Sequence, residues 1–175
     1  MEENGSPAER PAKAGAQRPL QPDYESDAPV VMAQTSTDLL PVSRRHARLN
    51  PNCVVCGARN PKGLHLAFHE GRDGVEAAWV PTEEWESFQG TVHGGIITTV
   101  LDEAMSKAVI ARNWEALTVD LRVRFRGRVL PGKRLRLRGW VIEKQRRRIL
   151  TEATLATGAG VERAHAWATF LVPRS

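Results

Sequence analysis

The stretch that decides the architecture is His93-Gly94-Gly95-Ile96-Ile97-Thr98-Thr99-Val100-Leu101-Asp102-Glu103-Ala104-Met105-Ser106-Lys107-Ala108-Val109-Ile110-Ala111-Arg112. Ile97, Val100, Leu101, Ala104, Ala108 and Ala111 recur at helical spacing, no proline interrupts them, and two glycines stand at the entrance. The spacing predicts the chain's one long helix. Its apolar residues cover more than half the circumference, so it needs broad cover, which a wrapping sheet supplies and a single packed edge does not.

Sequence on both sides of the helix supplies that sheet. Leu64, Leu66 and Phe68 alternate with His65, Ala67 and His69; a Gly71-Arg72-Asp73-Gly74 turn follows, and then Val75, Ala77 and Trp79 alternate with Glu76 and Ala78. That pattern predicts a hairpin. After the helix come four strand-like runs: Leu117 to Phe125, Lys133 to Ile142, Ile149 to Thr157 and Val161 to Val172. Pro131-Gly132 and Gly158-Ala159-Gly160 mark turns between them. Ten residues of strand span about 33 Å against about 27 Å for eighteen helical residues, so strand and helix match in length. The expected fold is α+β, a curved antiparallel sheet wrapped around one long central helix.

Composition sets the outer bounds. The 175 residues, 41% hydrophobic and 26% charged, suit one globular domain and exclude collagenous, coiled-coil or multidomain chains. No apolar run approaches the roughly 20 residues that span a bilayer. Residues 1–41 hold six of the eleven prolines and Tyr24 as their only aromatic, and are expected to be a disordered tail. Residues 42–62 are expected to lead into the domain through a short helix, drawn from Thr37 to Leu49, and a Cys53-x-x-Cys56 turn; the domain proper is placed at 63–175. Two cysteines, no secretory h-region and an acidic N-terminal segment point to a reducing cytoplasm. The formal charge of +5 is uneven: residues 117–148 carry twelve basic side chains against Asp120 and Glu143, a net +10. A block of that kind attracts anions, whether nucleic acid, a membrane face or a phosphate-bearing small molecule, or it is a solvated strand face.

The chemistry concentrates at Phe88-Gln89-Gly90-Thr91-Val92-His93-Gly94-Gly95, which runs into the helix, with Asp102 nine positions after His93. This resembles the His-Gly-Gly signature of hotdog-fold acyl-CoA thioesterases, in the phenylacetate-pathway and THEM-like branch. The likeness covers roughly 52–172 and includes Cys53-Val-Val-Cys-Gly57, Asn60-Pro-Lys-Gly-Leu64 and Thr118-Val-Asp-Leu121. Free N–H groups at a helix N-terminus carry partial positive charge, and glycine lets a thioester carbonyl approach them, so Gly94 and Gly95 are the candidate oxyanion donors. The resemblance puts the weight on Gly94. It also implies Asp102 as general base or nucleophile, and Thr118 as a residue that holds the attacking water from the neighbouring subunit. His93 is expected to be neutral beside the helix dipole and to position the loop or substrate. Ser87 stands where several of these enzymes carry an Asn that contacts the thioester, and Gln89 is a candidate substitute for it. Coenzyme A bears phosphates, and Arg122, Arg124 and Arg126 on one side of a strand offer guanidinium forks for them. The resemblance implies acyl-CoA as substrate, no cofactor and a homodimer as the minimum assembly, with tetramers common in the family; dimerisation would also protect an open strand edge.

Two rival readings are weaker. Cys53-x2-Cys56-x8-His65-x3-His69 superficially resembles a zinc site, but on a strand over 63–69 the two histidines would lie about 13 Å apart, too far to share one ion, so no metal is expected. A non-catalytic module using the basic strands to bind acyl-CoA or nucleic acid is the other. Phe125 and Trp140 are the only aromatics between 117 and 148, so a base-stacking platform is missing, and neither nucleic acid nor membrane is an expected partner.

Overall fold

The computed structural model describes residues 50–174, so the expected tail over 1–41 and the short helix drawn to Leu49 lie outside the described residues. The elements are β1 (His69–Glu70), β2 (Val75–Trp79), β3 (Glu86–Phe88), β4 (Thr91–Val92), α1 (Gly94–Ala111), β5 (Leu117–Phe125), β6 (Leu135–Gln145), β7 (Arg148–Thr157) and β8 (Glu162–Leu171). Six strands form one antiparallel sheet in the order β1-β2-β6-β7-β8-β5, while β3 and β4 pair separately just before the helix. This is the hotdog arrangement, with α1 lying against the sheet.

The sheet seats the helix because its strands alternate strictly. Leu135 and Leu137 of β6, Ile149, Ala153 and Leu155 of β7, and Ala164, Ala166, Ala168 and Phe170 of β8 are all buried and meet Ile97, Val100, Leu101, Ala104, Met105 and Ala108 of α1. Each large aliphatic among them stabilises the fold by about 1.5–3 kcal/mol through apolar area removed from water. The closest approach lies at Gly139, where a Cβ would sit 2.4 Å from the Ala104 carbonyl oxygen. Helix backbone and β6 therefore touch at a position where only glycine fits.

Two sequence expectations need correction. Residues 63–68 do not form a strand, and only His69–Glu70 pairs with β2. The N–H groups of Leu64 and Leu66 donate instead to the carbonyls of Val54 and Val55, at 2.8 and 2.9 Å, and His65 has φ of +52°, which breaks an extended run. Leu66 and Phe68 still enter the core, so the alternation marked burial correctly but not pairing. Val55 also belongs to the core, which therefore reaches upstream of residue 63. The β3–β4 ribbon was not expected.

β5 ends the sheet: it pairs with β8 on one side and with no strand on the other among the described residues. Leu117, Val119 and Phe125 on it are exposed. Its pairing with β8 is irregular between Thr118 and Asp120, a bulge beside the helix flank.

Candidate active site

At the helix entrance His93 is the N-cap, with extended backbone at φ −61° and ψ 132°. Its N–H donates to the Trp85 carbonyl at 2.7 Å, and its own carbonyl accepts from the N–H groups of Ile96 and Ile97 at 3.0 and 3.2 Å. The imidazole Nδ1 accepts from the Gly95 N–H at 2.8 Å, so this nitrogen carries no proton, in keeping with a ring next to the positive end of a helix dipole. A Cβ at residue 95 would lie 2.9 Å from that Nδ1. Gly95 thus serves the cap, and its N–H is engaged. The Gly94 N–H has no acceptor among the described residues, and the Phe125 ring lies 3.4 Å from where a Cβ on Gly94 would sit. Of the two expected oxyanion donors, the structure leaves Gly94 available.

Asp102 lies two turns further on, half-buried, with its Oδ1 accepting from the Thr118 hydroxyl at 2.9 Å. Burial pushes its carboxyl above the usual carboxylate range and the neighbouring Glu103 adds to this, while the Thr118 hydrogen bond opposes it. Thr118 and Asp102, which the resemblance brings together across two subunits, already meet within one chain. Thr118 pairs in register with the buried Phe170, which puts its side chain on the helix side of β5.

A cleft of about 420 Å³ opens at the helix entrance, lined by Glu84, Trp85, Glu86, His93, Gly95, Ile96 and Thr99. Asp102 follows Thr99 by three positions and so lies on the same side of the helix, though it does not itself line the cleft. A smaller hollow beside Gly74 and Gly139 touches none of these residues. Ser87 on β3 follows the lining residue Glu86 and Gln89 stands at the β3–β4 turn; both are exposed, and neither lines the cleft. Sequence reasoning missed Trp85 and the two glutamates; the aromatic eight residues before His93 was the one available signal.

The arginines stand elsewhere. Arg122 and Arg124 pair in register with Trp167 and His165, whose neighbours Ala164, Ala166 and Ala168 face the helix, so both guanidinium groups are on the opposite face of the sheet from Asp102. Arg122 stacks 5.8 Å from the Trp167 ring centre, and Arg126, just past β5, pairs with Glu162. Within one protomer none of the three reaches the helix entrance.

Residues 89–164 match the family model described as the thioesterase superfamily. The matched segment is 76 of the 175 residues and covers the helix and the strands on either side of the site. A solved thioesterase superfamily protein superimposes with a TM-score of 0.67 at 21% identity, over 69% of this chain and 60% of that one. The chain therefore spans 60% of the length of that relative. A hypothetical thioesterase protein with coenzyme A from Streptococcus pneumoniae TIGR4 gives 0.58 at 19% identity, over 63% and 88% of the two chains. Zebra fish thioesterase superfamily member 2 gives 0.59 at 20%, over 66% and 90%. At these identities the likeness is one of fold. Among curated proteins nothing matches the chain. The His-Gly-Gly entrance and Asp102 both fall in the matched segment, as do Thr118 and the three arginines. No helix among the described residues is long and apolar enough to cross a membrane.

Proposed function

We propose that the protein hydrolyses acyl-CoA thioesters at the entrance of α1. The observation that carries this is the pairing of an available Gly94 amide at the helix start with a half-buried Asp102 two turns on, held by Thr118. The Gly94 N–H, backed by the helix dipole, stabilises the negative charge that develops on the thioester oxygen. Asp102, one oxygen fixed by Thr118, presents the other to water as general base or to the acyl carbon as nucleophile. His93 is a positioning residue: its Nδ1 takes the Gly95 N–H and so shapes the entrance without touching the proton inventory of the reaction.

Coenzyme A as the carrier is supported by two fold relatives, one solved with coenzyme A and one, from Streptococcus mutans UA159, solved with acetyl-CoA. Two further structures of the Streptococcus pneumoniae protein carry an Asp or a Thr, sixteen positions apart, changed to Ala. Asp102 and Thr118 have that same separation. A homodimer fits the unpaired edge of β5 and its exposed Leu117, Val119 and Phe125, which a second copy would cover. In such a dimer the outward-facing Arg122 and Arg124, remote from Asp102 in their own protomer, are available to coenzyme A phosphates.

The test is release of free thiol from a panel of aryl-, medium-chain and long-chain acyl-CoA substrates. Asp102→Asn should lower kcat by at least about two orders of magnitude, the usual worth of a general base or nucleophile. Turnover equal to wild type would remove Asp102 from the mechanism. Single turnover in ¹⁸O-water tests the nucleophile role: label entering the Asp102 carboxylate marks an acyl–Asp102 anhydride opened at the Asp102 carbonyl, and rapid-quench mass analysis that finds no acylated enzyme before product release marks a base.

A further inference from the structure

On the other flank of α1, away from Thr118, a second set of reactive side chains converges. Cys53 Sγ lies 3.8 Å from each Glu103 carboxylate oxygen, and the ligand atoms of Cys53, Cys56 and Glu103 all fall within 4.8 Å of one another. The fully buried Lys107 donates to Cys56 Sγ at 3.1 Å and to Glu103 Oε1 at 2.9 Å. Glu103 bears on the hydrolytic site only through its charge beside Asp102, and the other three have no part in it.

The backbone around the cysteines has the form that presents two sulfurs to one ion. Cys53-Val54-Val55-Cys56-Gly57 makes a tight turn in which the Gly57 N–H donates to the Cys53 carbonyl at 3.0 Å and the Val55 N–H donates to Cys53 Sγ at 3.4 Å. A Cβ at Gly57 would lie 2.4 Å from the Cys53 nitrogen, so the turn closes only with glycine there. Charge also balances: two thiolates and a carboxylate around a divalent ion sum to −1, and Lys107 supplies the compensating +1 in a place where an unmatched charge is costly. Cys53 is half-buried, so solvent reaches the edge of the cluster.

We propose that Cys53, Cys56 and Glu103 bind a thiophilic divalent cation of the zinc class, with Lys107 as the buried donor to the Cys56 sulfur and solvent water as fourth ligand. The ion clasps the irregular segment 50–68, which has no strand or helix before His69, to the middle of α1. Two sulfurs beside one carboxylate select zinc over magnesium or calcium. The sequence pattern had paired the cysteines with His65 and His69; the third ligand comes instead from the helix, fifty residues after Cys53.

The experiment uses the full chain expressed with added zinc. Metal analysis should return one zinc per chain, and the folded metal-free protein given Co²⁺ should show thiolate-to-cobalt charge-transfer absorption. Lys107→Met, which leaves the ligands in place, should weaken affinity about 10- to 100-fold, as loss of an outer partner does. Because Cys56 is buried and its replacement can unfold the chain, wild-type protein provides the second measurement: a chelator should expose two thiols to a thiol reagent and lower Tm. Absence of zinc together with no cobalt band would overturn the proposal, and so would an intact mass two hydrogens short, which marks a Cys53–Cys56 disulfide. None of these readouts depends on thioester hydrolysis, so the two readings fail separately.

Discussion

Thr118→Val removes one hydroxyl and keeps the side-chain shape, so it isolates the hydrogen bond to Asp102 Oδ1 at 2.9 Å. In the wild type two influences raise the Asp102 carboxyl, burial and Glu103, and Thr118 opposes them. A hydrogen bond to a charged group is worth about 1.5–3 kcal/mol, and 1.36 kcal/mol corresponds to one pH unit, so the acid limb of the kcat/KM profile should move up by about one to two units. The sign follows from the chemistry. Asp102 acts as a carboxylate, activity falls as pH drops through its titration, and losing a donor that favours the charged form moves that fall to higher pH. Well above the limb, where the carboxylate is ionised in both proteins, Thr118→Val should approach the wild-type rate far more closely than Asp102→Asn does. Thr118→Ser, which restores the hydroxyl, should restore the limb. The assay is free-thiol release from one good acyl-CoA substrate across pH at low and saturating concentrations. Coincident acid limbs for Thr118→Val and wild type, with correct folding shown by circular dichroism, would refute the placement of this carboxylate at the centre of the reaction.

Other consequences can be checked directly. Asp102→Asn should raise Tm at neutral pH while it lowers turnover: a carboxyl held above the usual carboxylate range makes the folded state bind protons more tightly than the unfolded one, so stability present at low pH is lost as pH rises through the folded-state titration. A pH series of melting curves reads this, and a lower Tm for the Asn variant at pH 7 contradicts it. Gly139→Ala drives a methyl to 2.4 Å from a helix carbonyl, backbone that cannot turn aside; the expected cost is about 1–3 kcal/mol or more in urea denaturation. The proposed dimer through the open edge of β5 predicts a wild-type dimer in sedimentation velocity and a monomer for Val119→Lys; a monomeric wild type, or a variant of unchanged mass, contradicts it.

The order of elements was legible because burial imposes two different periods on the sequence, 3.6 along α1 and 2 along β5 to β8. What was not legible depends on long-range partners. The alternation at Leu66 and Phe68 reports which side chains go inward, and says nothing of whether the N–H groups meet β2 or the Val54 and Val55 carbonyls. The same holds for Arg122 and Arg124: their shared face was readable, but only the alanines opposite them on β8 show that it points away from the helix. The Gly94 amide and Asp102 were readable because both lie on one rigid helix whose geometry is known in advance. Lys107 was passed over because lysine is rarely buried, although Glu103 stands four residues before it, the favourable spacing for such a pair.

Asp102 and Glu103 are adjacent carboxylates in different surroundings, and the geometry of α1 explains why. One step around a helix is about 100°, enough to turn Asp102 toward Thr118 on β5 and Glu103 toward Cys53, Cys56 and Lys107 on the opposite flank. The face between them, Leu101, Ala104 and Ala108, packs on the sheet and fixes the rotation of the rod. A small rotation of α1 would therefore disturb both carboxylates at once, and Gly139 against Ala104 is the contact that resists it. The long apolar circumference that first suggested a wrapping sheet has a second consequence. With most of the helix committed to the core, only its two flanks and its N-terminus remain for chemistry, and the reactive groups of this domain are found there.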